Sequence, residues 1–269
     1  MVIKMDVMTL AIKMTLFSGY IKNEKPVNLL LIAKPESGKT ELLQGFQQNE
    51  GIEYFTDVTA HGLQQSIIPK IQAGKKVTHI IIPDLLNPLS KQKATVDSLI
   101  MFLNALTEEG IENIETYAAK IKSLKGMKVQ CGIIGCITKD GFEKFKKKWK
   151  SIGFLSRMLP VSYSFSVNNV EEIFNNVIQE EFKQNQPMVC IFPKEEVEIQ
   201  SSVELNQRLK FIASFLGNIS DAYGFRAQKQ LQTLLKASAL MNDRTETNEE
   251  DVQNVIKVAN YMNFNYNPI

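Results

Sequence analysis

At 269 residues, with 44% apolar and 22% charged side chains, the chain is long enough to bury a sizeable core as one large domain or two moderate ones. A net charge of +2 excludes any argument from bulk charge for nucleic-acid or membrane binding, so a basic surface must be local. Cys131, Cys136 and Cys190 lack paired zinc spacing, and an odd count without a signal peptide points to a reducing cytoplasm. Residues 1–22 are apolar but interrupted by Lys4, Asp6 and Lys13, which argues against a membrane span. They predict an amphipathic packing helix over 5–20, with Val7, Leu10, Ala11, Met14 and Phe17 on one face.

Residues 28–43, NLLLIAKPESGKTELL, predict a buried strand over 27–33, a tight polar loop and a helix over 39–48. The loop ends in Gly38-Lys39-Thr40, the tail of a Walker A phosphate-binding loop. Glycine lets backbone N–H groups turn inward on phosphate, lysine supplies a point charge, and the hydroxyl completes a Mg²⁺ shell. Lys34, Pro35, Glu36, Ser37, Gly38, Lys39, Thr40 and Glu41 are therefore the expected cradle for a nucleotide. The pattern asks for glycine where Ala33 stands, a replacement that is tolerable if the local φ is negative and costly if it is positive.

Downstream, a short strand is expected over 54–58, His61 in a turn, and a helix over 63–71 closed by Gly74. His61 is either merely solvated or a contact to nucleotide or a neighbouring subunit. The apolar run 79–84, HIIIPD, predicts a strand ending in Asp84, where P-loop proteins keep the Walker B carboxylate that holds Mg²⁺. The next position, where ATPases of the best-known class carry a glutamate that polarises the attacking water, is Leu85. A helix over 91–109 ends at Gly110, and 111–126 forms a basic hairpin or loop insertion containing Lys120, Lys122 and Lys125, with Lys128 just beyond. A buried strand over 129–137 then leads to Thr138, whose hydroxyl either senses a phosphate or caps the next turn. FEKFKKKWK at 142–150 is either a solvated helix face or a basic run carrying an aromatic for nucleic acid. Arg157 sits in a short loop before a strand over 161–166.

From about 167 helical periodicity takes over, with helices expected over 170–182, 205–216, 226–241 and 247–262 and an extended arm over 187–200. Thr247 and Glu250 predict a capping box for the last helix. Arg226 opens the helix before it.

The order of these parts resembles the AAA+ ATPase family across nearly the whole chain: phosphate loop, strand ending in Asp84, long helix with an insertion, strand ending in Thr138, SRM loop, then helices with GFR and a T-x-E-E-D-V start. The GFLSR loop and the insertion before Thr138 are most similar to the branch of minichromosome maintenance helicases, MoxR proteins and magnesium chelatase. The resemblance implies a doubly wound, mainly parallel α/β P-loop base over 1–167 and a helical lid over 168–269, with the site at the carboxyl ends of the strands. It implies ATP and Mg²⁺ as ligands, with Lys39 on phosphate, Thr40 and Asp84 on the metal, Thr138 as sensor 1, Arg226 as sensor 2 and Arg157 as an arginine finger. A finger acts across a subunit boundary, so the resemblance implies a ring-shaped homo-oligomer, typically a hexamer. It also implies a remodelling or translocating ATPase whose target is DNA or a partner protein, with no membrane role. Leu85 keeps a second expectation open, a nucleotide-gated switch or loader with weak or no hydrolysis. A small-molecule kinase fits poorly, because no acceptor pocket is evident.

Overall fold

The computed structural model describes residues 5–112, 128–179 and 187–269. Its centre is β1, Leu29–Ala33, buried at every position. Successive side chains point to opposite faces of a strand. Leu29, Leu31 and Ala33 therefore enter one core, and Leu30 and Ile32 the other. The same division holds for β3, His79–Ile82, and β4, Gly132–Thr138: Ile81, Ile134 and Cys136 join the first core, and Ile80, Ile82, Ile133 and Ile137 the second. Strands apolar on both faces are stable only inside a covered parallel sheet. With β2 (Ile52–Tyr54), β5 (Leu159–Ser164) and β6 (Asn267–Pro268), the described strands form a six-stranded sheet ordered β2-β3-β4-β1-β5-β6, and every pairing is parallel.

Helices cover both faces, so the chain is an α/β protein. α3 (Ala60–Gln72), the short α4 (Leu86–Leu89), α5 (Lys93–Glu108) and α6 (Lys139–Ser151) contribute Leu63, Leu89, Leu103 and Trp149 to the second core. α1 (Asp6–Phe17) and the six-residue α2 (Lys39–Gln44) supply Met14, Leu42 and Leu43 to the first. The connection leaving β1 thus crosses one face, while those leaving β2, β3 and β4 cross the other. The carboxyl end of β1 is the topological switch point, the crevice where open α/β sheets bind ligands.

The C-terminal helices are α8 (Val203–Arg208), α9 (Lys210–Ser220), α10 (Phe225–Met241) and α11 (Glu249–Ala259). Leu216, Leu231, Leu235 and Val255 share the first core with α1 and with Leu29, Leu31 and Val161 of the sheet. The chain then returns to the sheet as β6, a strand that the sequence pattern does not announce.

Several boundaries move for local reasons. α2 ends at Gln44 instead of reaching 48, and turns follow it. β2 starts two residues before its expected position and stops at Tyr54. His61 is exposed in the first turn of α3, where the Thr59 hydroxyl accepts the Gly62 N–H. The helix expected over 205–216 breaks at Leu209 into α8 and α9. The capping box belongs to Asn248 and Asp251, because Thr247 instead contacts the Ser201 hydroxyl and Asp251 is drawn inward by two bonds from Arg244. The helix expected over 170–182 is α7, Val167–Ile178, capped by Ser166; positions 180–182 lie outside the described residues. So does most of the basic insertion, including Lys120, Lys122 and Lys125; Ile111 and Val129 at its base pair antiparallel. The arm is extended: the Met188 N–H donates to the Gly45 carbonyl at 2.7 Å, and Val197 bridges to Ile21. Among the described residues no helix is long and apolar enough to cross a membrane.

His79 opens β3 fully buried, its Nε2 3.2 Å from the Val27 carbonyl oxygen and against Gly132, where a Cβ would come within 2.5 Å of the ring. Burial pushes its pKa from the ordinary 6.5 down to about 4. The unfolded chain takes up this proton below pH 6.5 and the folded chain does not, so stability is full above 6.5 and falls as pH drops towards 4. The full difference is about 3 kcal/mol. Urea midpoints at pH 7.5 and 4.5 should therefore separate less in His79→Gln than in the wild type; equal separation in the two proteins contradicts the assignment.

Candidate functional site

The loop between β1 and α2 closes over its own lysine. Gly38 and Glu36 take left-handed backbone conformations, with φ of 73° and 60°. Such turns face successive N–H groups towards one point, making a concavity for an anion. Ala33 is absent from the positive-φ positions, so alanine stands in for the first glycine without backbone strain. Lys39 is buried, and its Nζ donates to the Ala33 carbonyl at 3.1 Å, the Lys34 carbonyl at 2.6 Å and the Ser37 hydroxyl at 2.8 Å. Burial lowers its pKa, and the charge of nearby Asp84 is among the effects that oppose this. Ser37 is buried with it, whereas Lys34, Pro35, Glu36 and Thr40 are exposed and Gly38 and Glu41 half-buried. Tyr163 on β5 braces the loop from below, donating to the Ser37 carbonyl at 3.0 Å. Burial raises the pKa of that phenol. Motif spacing could not find Tyr163; the only signal is an aromatic at the carboxyl end of a strand otherwise built of small and branched residues.

Asp84 follows β3 on the same edge, exposed, with one carboxylate oxygen accepting the Leu86 N–H at 2.9 Å. Leu85 does not project beside it. Its N–H donates to the Cys136 carbonyl, and its side chain is 2% exposed in the second core, lying across the bare face of Gly135. Thr138 pairs with Ala33 across β4 and β1, next to the loop. Its hydroxyl accepts the Gly141 N–H at 3.2 Å, so it is the N-cap of α6. Cys136 is buried on the same strand, and burial raises its thiol pKa to about 12, which leaves it unreactive at neutral pH. Lys34 through Glu41, Asp84 and Thr138 are thus gathered at one edge of the sheet.

The two arginines are not. Arg157 precedes β5, whose Leu159 aligns with Leu29 at the start of β1. It therefore stands at the amino edge, about 16 Å along the strands from the loop between β1 and α2. Its Nη1 donates to the Gly153 carbonyl at 2.6 Å, and the Asn28 amide holds its carbonyl. Arg226, at the start of α10, lies beside it and bonds Glu108 at 3.0 Å and the Ser156 hydroxyl at 3.4 Å. Glu108 also takes Lys25 at 2.9 Å; burial works against its charge, but Lys25 and then Arg226 hold its pKa below the ordinary value. Burial and the Arg226 charge lower the pKa of Arg157. Arg226, which the resemblance makes sensor 2, thus lies at the amino edge with Arg157 and not beside the 34–41 loop of its own chain. Glu108, which pairs with both Lys25 and Arg226, carried no sequence signal.

The basic run on α6 loses its aromatic: Trp149 is 1% exposed and packs edge-on against Phe154. Lys148 pairs with Asp97, and Lys146 lies over the Phe142 and Phe264 rings. That face resembles a solvated helix more than a stacking platform.

The carboxyl-edge group fits a nucleotide polyphosphate. A lysine already ringed by oxygen acceptors can exchange them for phosphate oxygens, and the Thr40 hydroxyl and Asp84 carboxylate are open to a hard cation. No cluster of His, Cys, Asp and Glu among the described residues could hold a metal ion by itself. The chain matches no protein-family model and no curated protein.

Proposed function

We propose that the chain binds ATP with Mg²⁺ at the 34–41 loop and works as an AAA+-type ATPase in a homo-oligomer. The observation carrying this is Lys39, buried at the switch point inside a loop of left-handed turns, with Asp84 and Thr138 on flanking strands. Lys39 would exchange the Ala33 and Lys34 carbonyls for phosphate oxygens, and Thr40 and Asp84 would hold Mg²⁺. The metal's contribution is to neutralise charge on the phosphates. Thr138 keeps its hydroxyl proton free to donate to a terminal phosphate while its oxygen caps α6. Arg157 and Arg226 would act on a neighbouring subunit's nucleotide, since both face away from their own. The work done would be remodelling or translocation of a macromolecule, with DNA the first candidate.

The position of Leu85 favours a second reading of the same site. With that side chain in the core, no carboxylate follows Asp84 to activate water, and the chain would serve as a nucleotide-gated switch or loader. Steady-state ATP turnover with and without DNA separates the two: DNA-stimulated turnover supports the motor, and tight binding with negligible turnover the switch. For the motor, Arg157→Ala should lower turnover by about 10³-fold and leave fluorescent-ATP affinity nearly unchanged. A matching loss of affinity would place Arg157 in its own subunit's site and refute the finger role.

A further inference from the structure

Of the five aromatic side chains exposed among the described residues, four gather on α9 and the start of α10: Phe211, Phe215, Tyr223 and Phe225. Tyr223 and Phe225 are 89% and 74% exposed, and their rings stack 17° from parallel with centres 5.7 Å apart. The backbone forces this display. Gly224 has a φ of 84°, and a Cβ there would come within 2.4 Å of the Ala213 carbonyl oxygen. The chain therefore turns from α9 into α10 only through glycine, and the two rings on either side of it are left in water. Exposed rings gathered in this way mark an interaction surface.

The pair forms a step midway along a trough. On one side a groove of about 430 Å³ runs between α8, α9 and α10, lined by Val203, Ala213, Ser214, Gln228 and Gln232. Phe211 and Phe215 flank Ser214 on the outward side of α9. On the other side the surface hollows again, by about 450 Å³, beside Ser156, Ser220 and Ala222. The Gln228 amide donates to the Asn206 carbonyl at 2.9 Å, while its own oxygen is buried without a hydrogen-bond partner among the described residues. That oxygen is left for a donor from outside. The charge is one-sided: from 210 to 241 the chain has four cations and a single carboxylate, Asp221. Arg226 and Lys236 are paired with Glu108 and Glu24. Lys210 and Lys229 are exposed and have no carboxylate partner among the described residues.

Flat exposed rings, an unpaired edge acceptor and unpaired lysines suit the three parts of an unpaired nucleotide: base face, base edge and phosphate. An acidic peptide would satisfy the lysines and leave the rings without a partner. α6 offers the opposite case, lysines whose one tryptophan is buried. We propose that the trough holds single-stranded DNA, with bases stacked on Tyr223 and Phe225, phosphates on Lys210 and Lys229, and a base N–H donated to the Gln228 oxygen. The inference rests on the reading that DNA is the macromolecule handled, and goes beyond it. The strand is unpaired, it lies on the C-terminal helices, and it is held without ATP or a neighbouring copy. Every base has a stacking face, so the binding tolerates any sequence.

Fluorescence anisotropy with labelled oligo-dT, in the absence of ATP, tests it. The wild type should bind the single strand at least about tenfold more tightly than a duplex of the same length, whose bases offer no free face. Tyr223→Ala and Phe225→Ala should each weaken binding about tenfold, the stacking of one base. Phe225→Tyr should keep the affinity and Phe225→Leu lose it, which separates stacking from apolar contact. Lys210→Gln and Lys229→Gln should each make the slope of log affinity against log salt shallower by about 0.7. All four positions are exposed, so circular dichroism should be unchanged. Equal affinity for the duplex, a Phe225→Leu protein that binds as tightly as wild type, or unchanged salt slopes in both lysine variants would each overturn the proposal. So would ring variants that keep oligo-dT affinity and lose assembly in light scattering, because the trough would then be a contact between copies. Fluorescent-ATP affinity of the same proteins keeps the two ideas apart: oligo-dT binding without ATP affinity upholds the trough and removes the nucleotide site, and ATP affinity without oligo-dT binding does the reverse.

Discussion

Lys39→Ala should abolish ATP binding, with affinity down by at least about 100-fold. A charge-assisted hydrogen bond to phosphate contributes about 1.5–3 kcal/mol, and two such bonds account for that factor. The variant should still fold. The bonds of Lys39 go to Ala33 at the end of β1 and to Lys34 and Ser37 in its own loop, and after its removal the Ser37 hydroxyl still donates to the Lys34 carbonyl. Tyr163 continues to hold the Ser37 carbonyl. A fluorescence titration with an ATP analogue, paired with a thermal melt, gives both numbers. Affinity within threefold of wild type, in a protein that melts normally, would rule out the loop as the phosphate site.

Leu85→Glu should not create an efficient hydrolase; it should unfold the protein. On the motif alone, glutamate at this position restores the missing general base and raises turnover. Here the side chain at 85 turns away from Asp84 into the core and lies against Gly135. A carboxylate there has no cation partner and either stays ionised at high cost or takes up a proton. An uncompensated buried charge costs about 3–5 kcal/mol, a large share of the stability of an ordinary domain. The urea midpoint should fall sharply, and the residual folded fraction should gain no turnover. A variant within about 1 kcal/mol of wild type by the same measurement and with increased turnover would mean that position 85 reaches the site.

The centre of the fold was legible because it is written in burial. Strands apolar at every position, as in Leu29–Ala33 and His79–Ile82, have one stable environment, and Asp84 and Thr138 follow from where such strands end. The edges were not. β2 and β6 are too short to carry a pattern. The capping box slipped by one residue because Arg244, just upstream of the cap but no part of a helix-start pattern, pairs with Asp251. Trp149 beside four lysines resembles a nucleic-acid surface in sequence, but the period of α6 carries it inward. The site was half legible. Spacing identifies the loop, whereas its brace, Tyr163, lies 126 residues away in the chain. The location of Arg226 depends on how α10 packs, which its own residues do not state.

The sharing of one core by α1, the sheet and α9–α11 bears on how the chain is made. As synthesis proceeds, β1, β3, β4 and β5 can assemble once residue 164 has emerged, and α3, α5 and α6 already cover one face. The other face, with Leu31, Ile134 and Val161, keeps α1 and α2 for cover until Leu231 and Leu235 arrive about 70 residues later. At roughly 5–20 residues per second, that leaves an apolar surface open for several seconds on the ribosome. Nascent chains stalled near residue 200 should therefore recruit a chaperone that binds apolar segments, and chains stalled beyond the full 269 residues should release it. Equal recruitment at both lengths would show that the early sheet protects itself.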